Sequence, residues 1–376
     1  MSKRKIKRRD KKRTIKRRKP TTKDNVRQVT RRKKRINKRV EFISSGCITL
    51  NLALSGLGKA GGWARARVNN IVGDGSSGKT LLALELCFWF WKFIRFVKSK
   101  IFPKVKKVII CYDNGEGVMD FPVEKMYGQE FYDAVNWERS KNFEQFCRRF
   151  LRKAFSLKKG EALLYVIDSW DSFQSAKSKK AFMESIKDDT ELKGDYDLAL
   201  QKYASRKFFP TFCDILEENK IDATLIIISQ VRSKIGVTFG KKQTRTGGKA
   251  LDFYTHMVAW VKEIKKLDKT KKGHKRIYGI RSEAMVERSK VAKPFRSAEF
   301  TILYDYGIDD ISSMMDFLWP KGTIKFNGKK FKTKNSFIKY VEKENLEDEL
   351  IKKTEEKWYE IEASFEDEVK RRKPRH

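Results

Sequence analysis

From about residue 41 onward, short apolar runs punctuate the chain without alternating: "VNNIV" (68–72), "VIICY" (108–112), "LLYVID" (163–168) and "TLIIIS" (224–229). A strand solvated on one face would alternate apolar and polar positions, so continuous runs predict strands buried on both faces of a parallel sheet. Stretches of helical character, including "NFEQFCRRFLRKAF" and "KFFPTFCDILEENK", separate them. That order predicts a doubly wound α/β core. The later runs "MVAWVKEIKKL", "RIYGIRSEAMVERSKV" and "AEFTILY" lie closer together with turns between, which predicts antiparallel strands extending the sheet. From about Leu318, short strands around "TIKFNGKKFK" precede two charged helices, the pattern of a small α+β satellite domain. The most apolar window, "LLALELCFWFWKFIRFV" (81–97), carries Glu85, Lys92 and Arg95. It falls short of the ~20 apolar residues a bilayer requires and reads as a buried helix, so no membrane partner is expected.

The first 40 residues break the pattern. They hold 22 Lys or Arg against two Asp, a local charge of +20. Such a segment cannot bury enough apolar surface to offset its ordering entropy, so residues 1–40 are expected to form a disordered basic arm, ahead of a core at 41–317 and a small domain at 318–376. The arm suits sequence-independent phosphate contacts that weaken with salt; a nuclear-import signal or a solubilising tail are the competing readings. Over the whole chain 86 Lys and Arg face 48 Asp and Glu, a net charge of +38, which points to nucleic acid as partner. Five cysteines, at 47, 87, 111, 147 and 213, form no CxxC pair and suit packed thiols in a reduced, cytoplasmic compartment; the arm leaves a nuclear location open. Three histidines are too few for a histidine-rich metal site.

"GDGSSGKT" (73–80) stands between an apolar run and an apolar helix. Gly73, four residues, then Gly78-Lys79-Thr80 is the phosphate-loop spacing: backbone amides of Gly73, Asp74, Gly75, Ser76, Ser77 and Gly78 curl around phosphates, Lys79 reaches the outer ones, and the Thr80 hydroxyl faces Mg²⁺. A nucleoside triphosphate with Mg²⁺ is the expected ligand. A metal-linked carboxylate is expected at the end of a neighbouring strand, and "LLYVIDSW" supplies Asp168. "VIICYDNGEGVMD" ends in Asp113, Glu116 and Asp120, of which Glu116 is the expected water-polarising group. "ISQVRSK" sets Gln230 where an amide could sense the γ-phosphate.

Three separated segments carry a family resemblance. "ISSGCITLNLALSGLGKAGGWARARVNNIVGDGSSGKTLLALEL" resembles the start of the ATPase core of RecA and UvsX recombinases, "ISQVRSKIGVTFGKKQTRTGGKALDFY" resembles their mobile DNA-binding loop, and "RSKVAKPFRSAEFTILYDYGI" the segment closing their core. The tail "GTIKFNGKKFKTKNSFIKYVEKENL" is similar to the RecA C-terminal domain. The resemblance implies a RecA-like fold, Glu116 as catalytic glutamate, Asp120 beside the nucleotide, Asp168 as metal-linked aspartate and Gln230 as γ-phosphate sensor. It implies that Val231–Lys249 lines single-stranded DNA, with Arg232, Lys234, Arg245 and Lys249 on phosphates, Gly247 and Gly248 allowing close backbone approach, and Ile235 wedged between bases. A loop around Phe182 to Tyr196 occupies the place of the family's other DNA loop. Two family lysines that complete a neighbour's ATP site correspond to Arg288 and Lys290; Val123 replaces an aromatic beside the adenine; and the basic arm stands where RecA carries its polymerising segment.

The function so implied is an ATP-dependent recombinase that filaments on single-stranded DNA, pairs it with a homologous duplex and hydrolyses ATP. The alternatives are a RecA-fold helicase or loader, and an arm-driven DNA-binding accessory protein with a vestigial ATPase. The chain's compactness and reduced initial segment suit a phage-encoded origin.

Overall fold

Successive residues of strand β6 (Glu161–Asp168) point to opposite sides of a sheet, Leu164 and Val166 into one apolar cluster and Leu163, Tyr165 and Ile167 into another. Both faces are buried, which explains the unbroken apolar runs. The structure, a computed structural model, describes residues 40–96, 104–117, 121–174, 178, 180, 184, 203–218, 221–233, 243–245 and 248–370.

Around β6 the chain builds β3 (Val68–Gly73), β4 (Lys107–Asn114), β5 (Val135–Glu138) and β7 (Ala223–Ser233), followed by β8 (Gln243–Arg245), β9 (Met257–Lys271), β10 (His274–Ser289), β11 (Ser297–Leu303) and β12 (Gly307–Asp309). Their order is β12-β11-β10-β9-β3-β7-β6-β4-β5, with β8 added antiparallel to β7. The strands from β9 to β5 along this order run parallel to one another, and β10, β11 and β12 pair antiparallel beyond β9. The expected parallel core with an antiparallel extension forms, except that β9, expected in the extension, joins β3 in parallel and the antiparallel pairing begins at β10. A two-residue pairing, β1 (Phe42–Ile43) with β2 (Trp63–Ala64), stands apart.

Helices α1 (Ile48–Ser55) and α2 (Lys79–Phe96) contribute to the cluster on one face. The window once comparable to a membrane span is α2, whose Leu82, Leu86 and Phe90 are buried against the sheet. Short helices α3 (Val123–Tyr127) and α4 (Gln129–Ala134) lead into β5. The opposite face is covered by α5 (Phe143–Phe155) and α6 (Phe209–Glu218), where Phe143, Phe146, Phe150, Phe208, Phe209 and Phe212 pack as an aromatic layer. Asn142 caps α5, its side chain accepting the Gln145 amide at 2.9 Å, a signal present in the sequence as Asn-Phe-Glu-Gln.

Helix α7 (Gly248–Tyr254) precedes β9, and α8 (Asp310–Leu318) follows β12. The hairpin β13 (Ile324–Phe326) and β14 (Lys329–Phe331) then leads to α9 (Lys334–Lys343) and α10 (Glu347–Lys370). Phe326, Phe337, Leu350 and Trp358 of these last elements join the same apolar cluster as α1 and α2. Residues 1–39 of the basic arm, and residues 182, 183 and 185–196 of the other expected DNA loop, lie outside the described residues.

Candidate nucleotide site and the strand-binding loop beside it

The loop Gly73–Thr80 joins β3 to α2 at the carboxyl end of the central parallel strand, the end of an open α/β sheet at which ligands bind. Register delivers the neighbours: Gly73 lies opposite Gln230 of β7, and Asn114 of β4 opposite Asp168 of β6. Residues far apart in sequence therefore meet along one edge.

Gly78 has φ +92°, and a Cβ there would stand 2.4 Å from Ile302 Cδ1, so only glycine serves. The Ser77 amide and hydroxyl donate to the Asp74 carbonyl at 3.2 and 2.8 Å, and Lys79 Nζ donates to the same oxygen at 2.5 Å. Ser282 Oγ of β10 donates to the Ser77 carbonyl at 3.0 Å, so the antiparallel extension braces the loop. Asp74, Gly75 and Ser76 are exposed ahead of the positive end of α2, the arrangement that attracts a phosphate. Burial pulls the Lys79 ammonium below its ordinary value, opposed by the carboxylates of Asp168 and Glu116.

Thr80 Oγ1 donates to Asp168 Oδ2 at 2.8 Å, and the Tyr112 hydroxyl donates to the same oxygen at 2.7 Å. Burial raises the Asp168 carboxyl above its usual range, while those two donors pull it back. Among the described residues no group of three or more His, Cys, Asp or Glu could hold a metal alone. A hydroxyl and a carboxylate at hydrogen-bond distance are nonetheless hard oxygen donors that fit Mg²⁺, which binds through few protein oxygens plus phosphates and water.

Of the three carboxylates at and beyond the end of β4, Asp113 is buried and accepts from Ser140 N, Ser140 Oγ and the Tyr165 hydroxyl, a structural role, and Asp120 lies outside the described residues. Glu116 is exposed at the site. It rides a tight turn in which a Cβ on Gly115 would meet Ser172 Oγ at 2.1 Å. Its Oε1 accepts from Ser169 Oγ at 2.6 Å and from Gln230 Nε2 at 3.0 Å. The Gln230 amide in turn donates to Asp171 Oδ2 at 2.7 Å, and Arg232 Nε lies 3.6 Å from Asp171 Oδ1. A continuous polar chain thus runs from Glu116 to the root of the loop after β7. Tyr112, Ser169 and Asp171 belong to the site and were not read from the sequence. "IDSWDS" did hold the signal for two of them, a serine and a second carboxylate just after Asp168.

One of the loop residues departs from expectation. Arg245, expected on a phosphate, is only 8% exposed: its guanidinium donates to Asn70 Oδ1 of β3 and, at 2.7 Å, to Asp252 Oδ1 of α7. The pairing of β8 with β7 turns that side chain into the fold, so it anchors the loop's returning end. Lys249 falls in the first turn of α7 with its side chain outside what is described, Gly248 begins that helix, and Lys234, Ile235 and Gly247 lie outside the described residues. Arg232 remains exposed. Val123, where an adenine-facing aromatic was the comparison, is fully buried at the start of α3.

Arg288 pairs with Val258, which pairs with Asn70, and Lys290 follows the end of β10 with its amide on the His256 carbonyl. Both stand toward the amino end of β3, away from this chain's own phosphate loop. Lys290 lies over the ring of Phe253 at 5.5 Å, a ring that is 66% exposed.

Residues 187–309 match the family model of the RecA N-terminal domain. The RecA protein of Arthrospira platensis is 30% identical over 303 residues, 80% of this chain and 72% of that protein. That of Rippkaea orientalis (strain PCC 8801 / RF-1) is 30% identical over 282 residues, 74% of this chain and 69% of that protein. The chain belongs to the RecA family. The RecA protein of Gloeothece citriformis (strain PCC 7424) is 29% identical over 321 residues, 82% of this chain and 78% of that protein. Among solved structures, the crystal structure of the RadB recombinase is 18% identical with a TM-score of 0.45, covering 71% of this chain and 98% of that one. As a RecA-family recombinase the chain falls among DNA- and ATP-binding proteins of recombination and repair. Among the described residues no helix is long and apolar enough to cross a membrane.

Proposed function

We propose that this RecA-family chain is a DNA-dependent ATPase that assembles on single-stranded DNA and pairs it with a homologous duplex. The observation that carries this reading is the contact of Gln230 Nε2 with Glu116 Oε1 at 3.0 Å, made by a residue that opens directly into the loop Val231–Lys249. The amides of residues 73–80 hold the phosphates, Lys79 neutralises the outer ones, and Thr80 with Asp168 holds Mg²⁺. Bound Mg²⁺ supplies charge neutralisation at the phosphates. Glu116 orients and polarises the attacking water. Gln230 exchanges its hydrogen bond with Glu116 for one to the γ-phosphate, and the shift passes through its backbone and Asp171 to Arg232 and the strand-binding loop.

Arg288 and Lys290, facing away from the home site, serve the phosphates of a neighbouring copy, which makes assembly a condition for activity. Arg288 presents a planar fork rather than a point charge, so it suits two phosphate oxygens at once. Pairing supplies the sequence discrimination, and the protein needs only backbone contacts and stacking. Affinity for a single-stranded oligonucleotide, measured without nucleotide, with ADP and with a non-hydrolysable ATP analogue, tests the reading. At least tenfold tighter binding with the analogue is expected, lost in Lys79→Ala; equal affinity in all three states overturns it.

A further inference from the structure

At the amino ends of β4, β6 and β7, the pole of the sheet opposite the phosphate loop, lies a cleft of about 1010 Å³ lined by Arg65, Lys104, Lys106, Lys158 and Lys159. The two loops that carry its lysines are stapled together: the Lys106 amide donates to the Gly160 carbonyl at 2.7 Å and the Lys107 amide to the same oxygen at 3.2 Å. The lysine stems are thus fixed at their roots by β4 and β6. Leu157 and Ile221 supply its apolar lining.

The two acids in the cleft are already engaged. Asp222 takes a forked pair of hydrogen bonds from Arg65, at 2.9 Å to Nε and 2.5 Å to Nη2, and Arg65 also pairs with Glu41. Glu161 accepts the Lys158 amide at 3.0 Å and lies 3.7 Å from Lys107 Nζ. Among the described residues no carboxylate lies within salt-bridge distance of Lys104, Lys106, Lys158 or Lys159, and all four are exposed. Four unneutralised cations on adjacent, hydrogen-bonded loops suit an anionic partner with several charges.

A second observation adds to the first. Glu41 holds Arg65 through both an ion pair and its backbone, the Arg65 amide donating to the Glu41 carbonyl at 2.8 Å. The arm with 22 Lys or Arg therefore joins the fold at the rim of this cleft.

We propose that this cleft is a docking surface for the phosphate backbone of duplex DNA, separate from the nucleotide-linked loop and independent of ATP. Among the described residues no aromatic ring lines it, whereas single-strand sites depend on stacking platforms. A duplex offers one charge per ~1.7 Å of axis, the density that matches clustered lysines. The seven steps of β6 from Glu161 to Asp168 separate the cleft from the metal-side carboxylate by roughly 23 Å, so its occupant leaves the nucleotide site open. Arg288, at the end of β10, is four strand spacings from β6, about 19 Å across the sheet, so a neighbouring copy and a duplex can be engaged together.

The test uses the full chain without nucleotide and a 30-base-pair duplex. In the variant carrying Lys→Gln at 104, 106, 158 and 159, affinity at 0.15 M salt is expected to fall at least tenfold, and the slope of log affinity against log salt to shrink by about 3 to 4, one phosphate contact per lysine. A matched variant, Lys→Gln at the exposed positions 321, 343, 352 and 357, is expected to change the slope by less than 1. Chemical acetylation read by mass spectrometry should show the four cleft lysines of the unaltered protein protected by duplex. ATP-supported single-strand binding is expected to survive in the cleft variant, which keeps this proposal separate from the function proposed above. Unchanged affinity and slope, an equal loss in the matched variant, or stronger protection by a single strand than by a duplex would each overturn it.

Discussion

Gln230 Nε2 donates to Glu116 Oε1 at 3.0 Å although β6 lies between the strands that carry the two residues. Two strand spacings, about 10 Å, are bridged because Glu116 leans back over Ser169, which donates to the same oxygen at 2.6 Å. Both donors occupy the oxygen that would otherwise face a water. The contact therefore keeps Glu116 restrained until Gln230 finds another acceptor. Gln230→Ala is expected to leave basal ATPase intact or higher and to abolish its stimulation by single-stranded DNA. Glu116→Gln is expected to retain ATP binding while hydrolysis falls about 10²- to 10⁴-fold. Steady-state ATPase with and without DNA, beside nucleotide binding by fluorescence, checks both. A Gln230→Ala protein with normal DNA stimulation would remove the sensor role.

Tyr112 is predicted to tune the metal-side carboxylate. Its hydroxyl donates to Asp168 Oδ2 at 2.7 Å and opposes the burial that raises the Asp168 pKa. Tyr112→Phe removes that opposition, so Asp168 holds its proton to higher pH. Mg²⁺ then competes with a proton, and the acid limb of the ATPase pH profile should move upward. More Mg²⁺ should be needed for half-maximal activity at pH 6, with little difference at pH 8. A profile that scales down uniformly without moving its acid limb would mean that the tyrosine only supports packing.

How far the sequence carries this site follows from what each residue does. Strands β3, β4, β6 and β7 were legible because two buried faces force unbroken apolar runs, and they are observed within a few residues of "VNNIV", "VIICY", "LLYVID" and "TLIIIS". Gly73–Thr80, Asp168, Glu116 and Gln230 were legible because they end such strands, and register brings them together. Arg245 was misread. In sequence it is one more cation in a cationic loop, and only the antiparallel pairing of β8 with β7 turns it inward. Asp171 was missed for a similar reason: its role depends on the Gln230 backbone amide, which no side-chain pattern announces. β5 was too short at four residues to stand out from the helices around it.

Arg245 gives a prediction opposite to that for a surface phosphate contact. Its partner Asn70 uses its own Nδ2 to reach Ile227 O at 2.7 Å and Ser229 Oγ at 3.0 Å, so one buried network joins the loop's returning end to β3 and β7. Arg245→Ala leaves Asn70 Oδ1 buried without a donor, whereas Asp252, 61% exposed, returns to water. The expected cost is about 1–3 kcal/mol of stability. Arg245→Lys keeps the charge but loses the fork and should fall between. The ratio of single-strand affinities with ATP analogue and with ADP should shrink in both variants, because β7 and the phosphate loop no longer share a fixed neighbour. Urea unfolding and the two affinities measure this; a variant of unchanged stability with uniformly weaker DNA binding would restore the phosphate-contact reading.

Two buried carboxyls make the fold sensitive to pH in an unusual direction. Glu85 of α2 accepts from Trp89 Nε1, the Tyr127 hydroxyl and the Ile308 amide at 3.1, 3.2 and 3.0 Å, yet burial still pushes its pKa up from 4.5 to about 7, with Lys92 only partly offsetting it. Asp310 accepts the Ile48 amide at 2.8 Å and is likewise raised by burial to about 7, the nearby Asp309 and Glu85 adding to the rise. In both, the folded pKa exceeds the unfolded one, so the folded state binds more protons between about pH 4 and 7. Their contribution is complete below the unfolded pKa and is lost as pH rises through the folded one. For Glu85 the loss is on the order of 3 kcal/mol. Glu85→Gln keeps an oxygen acceptor in place without the titration. Its urea midpoint should therefore vary less between pH 5 and 8 than that of the unaltered protein, and the difference should be largest near pH 8. Equal pH dependence in the two proteins would mean that Glu85 ionises freely in the fold.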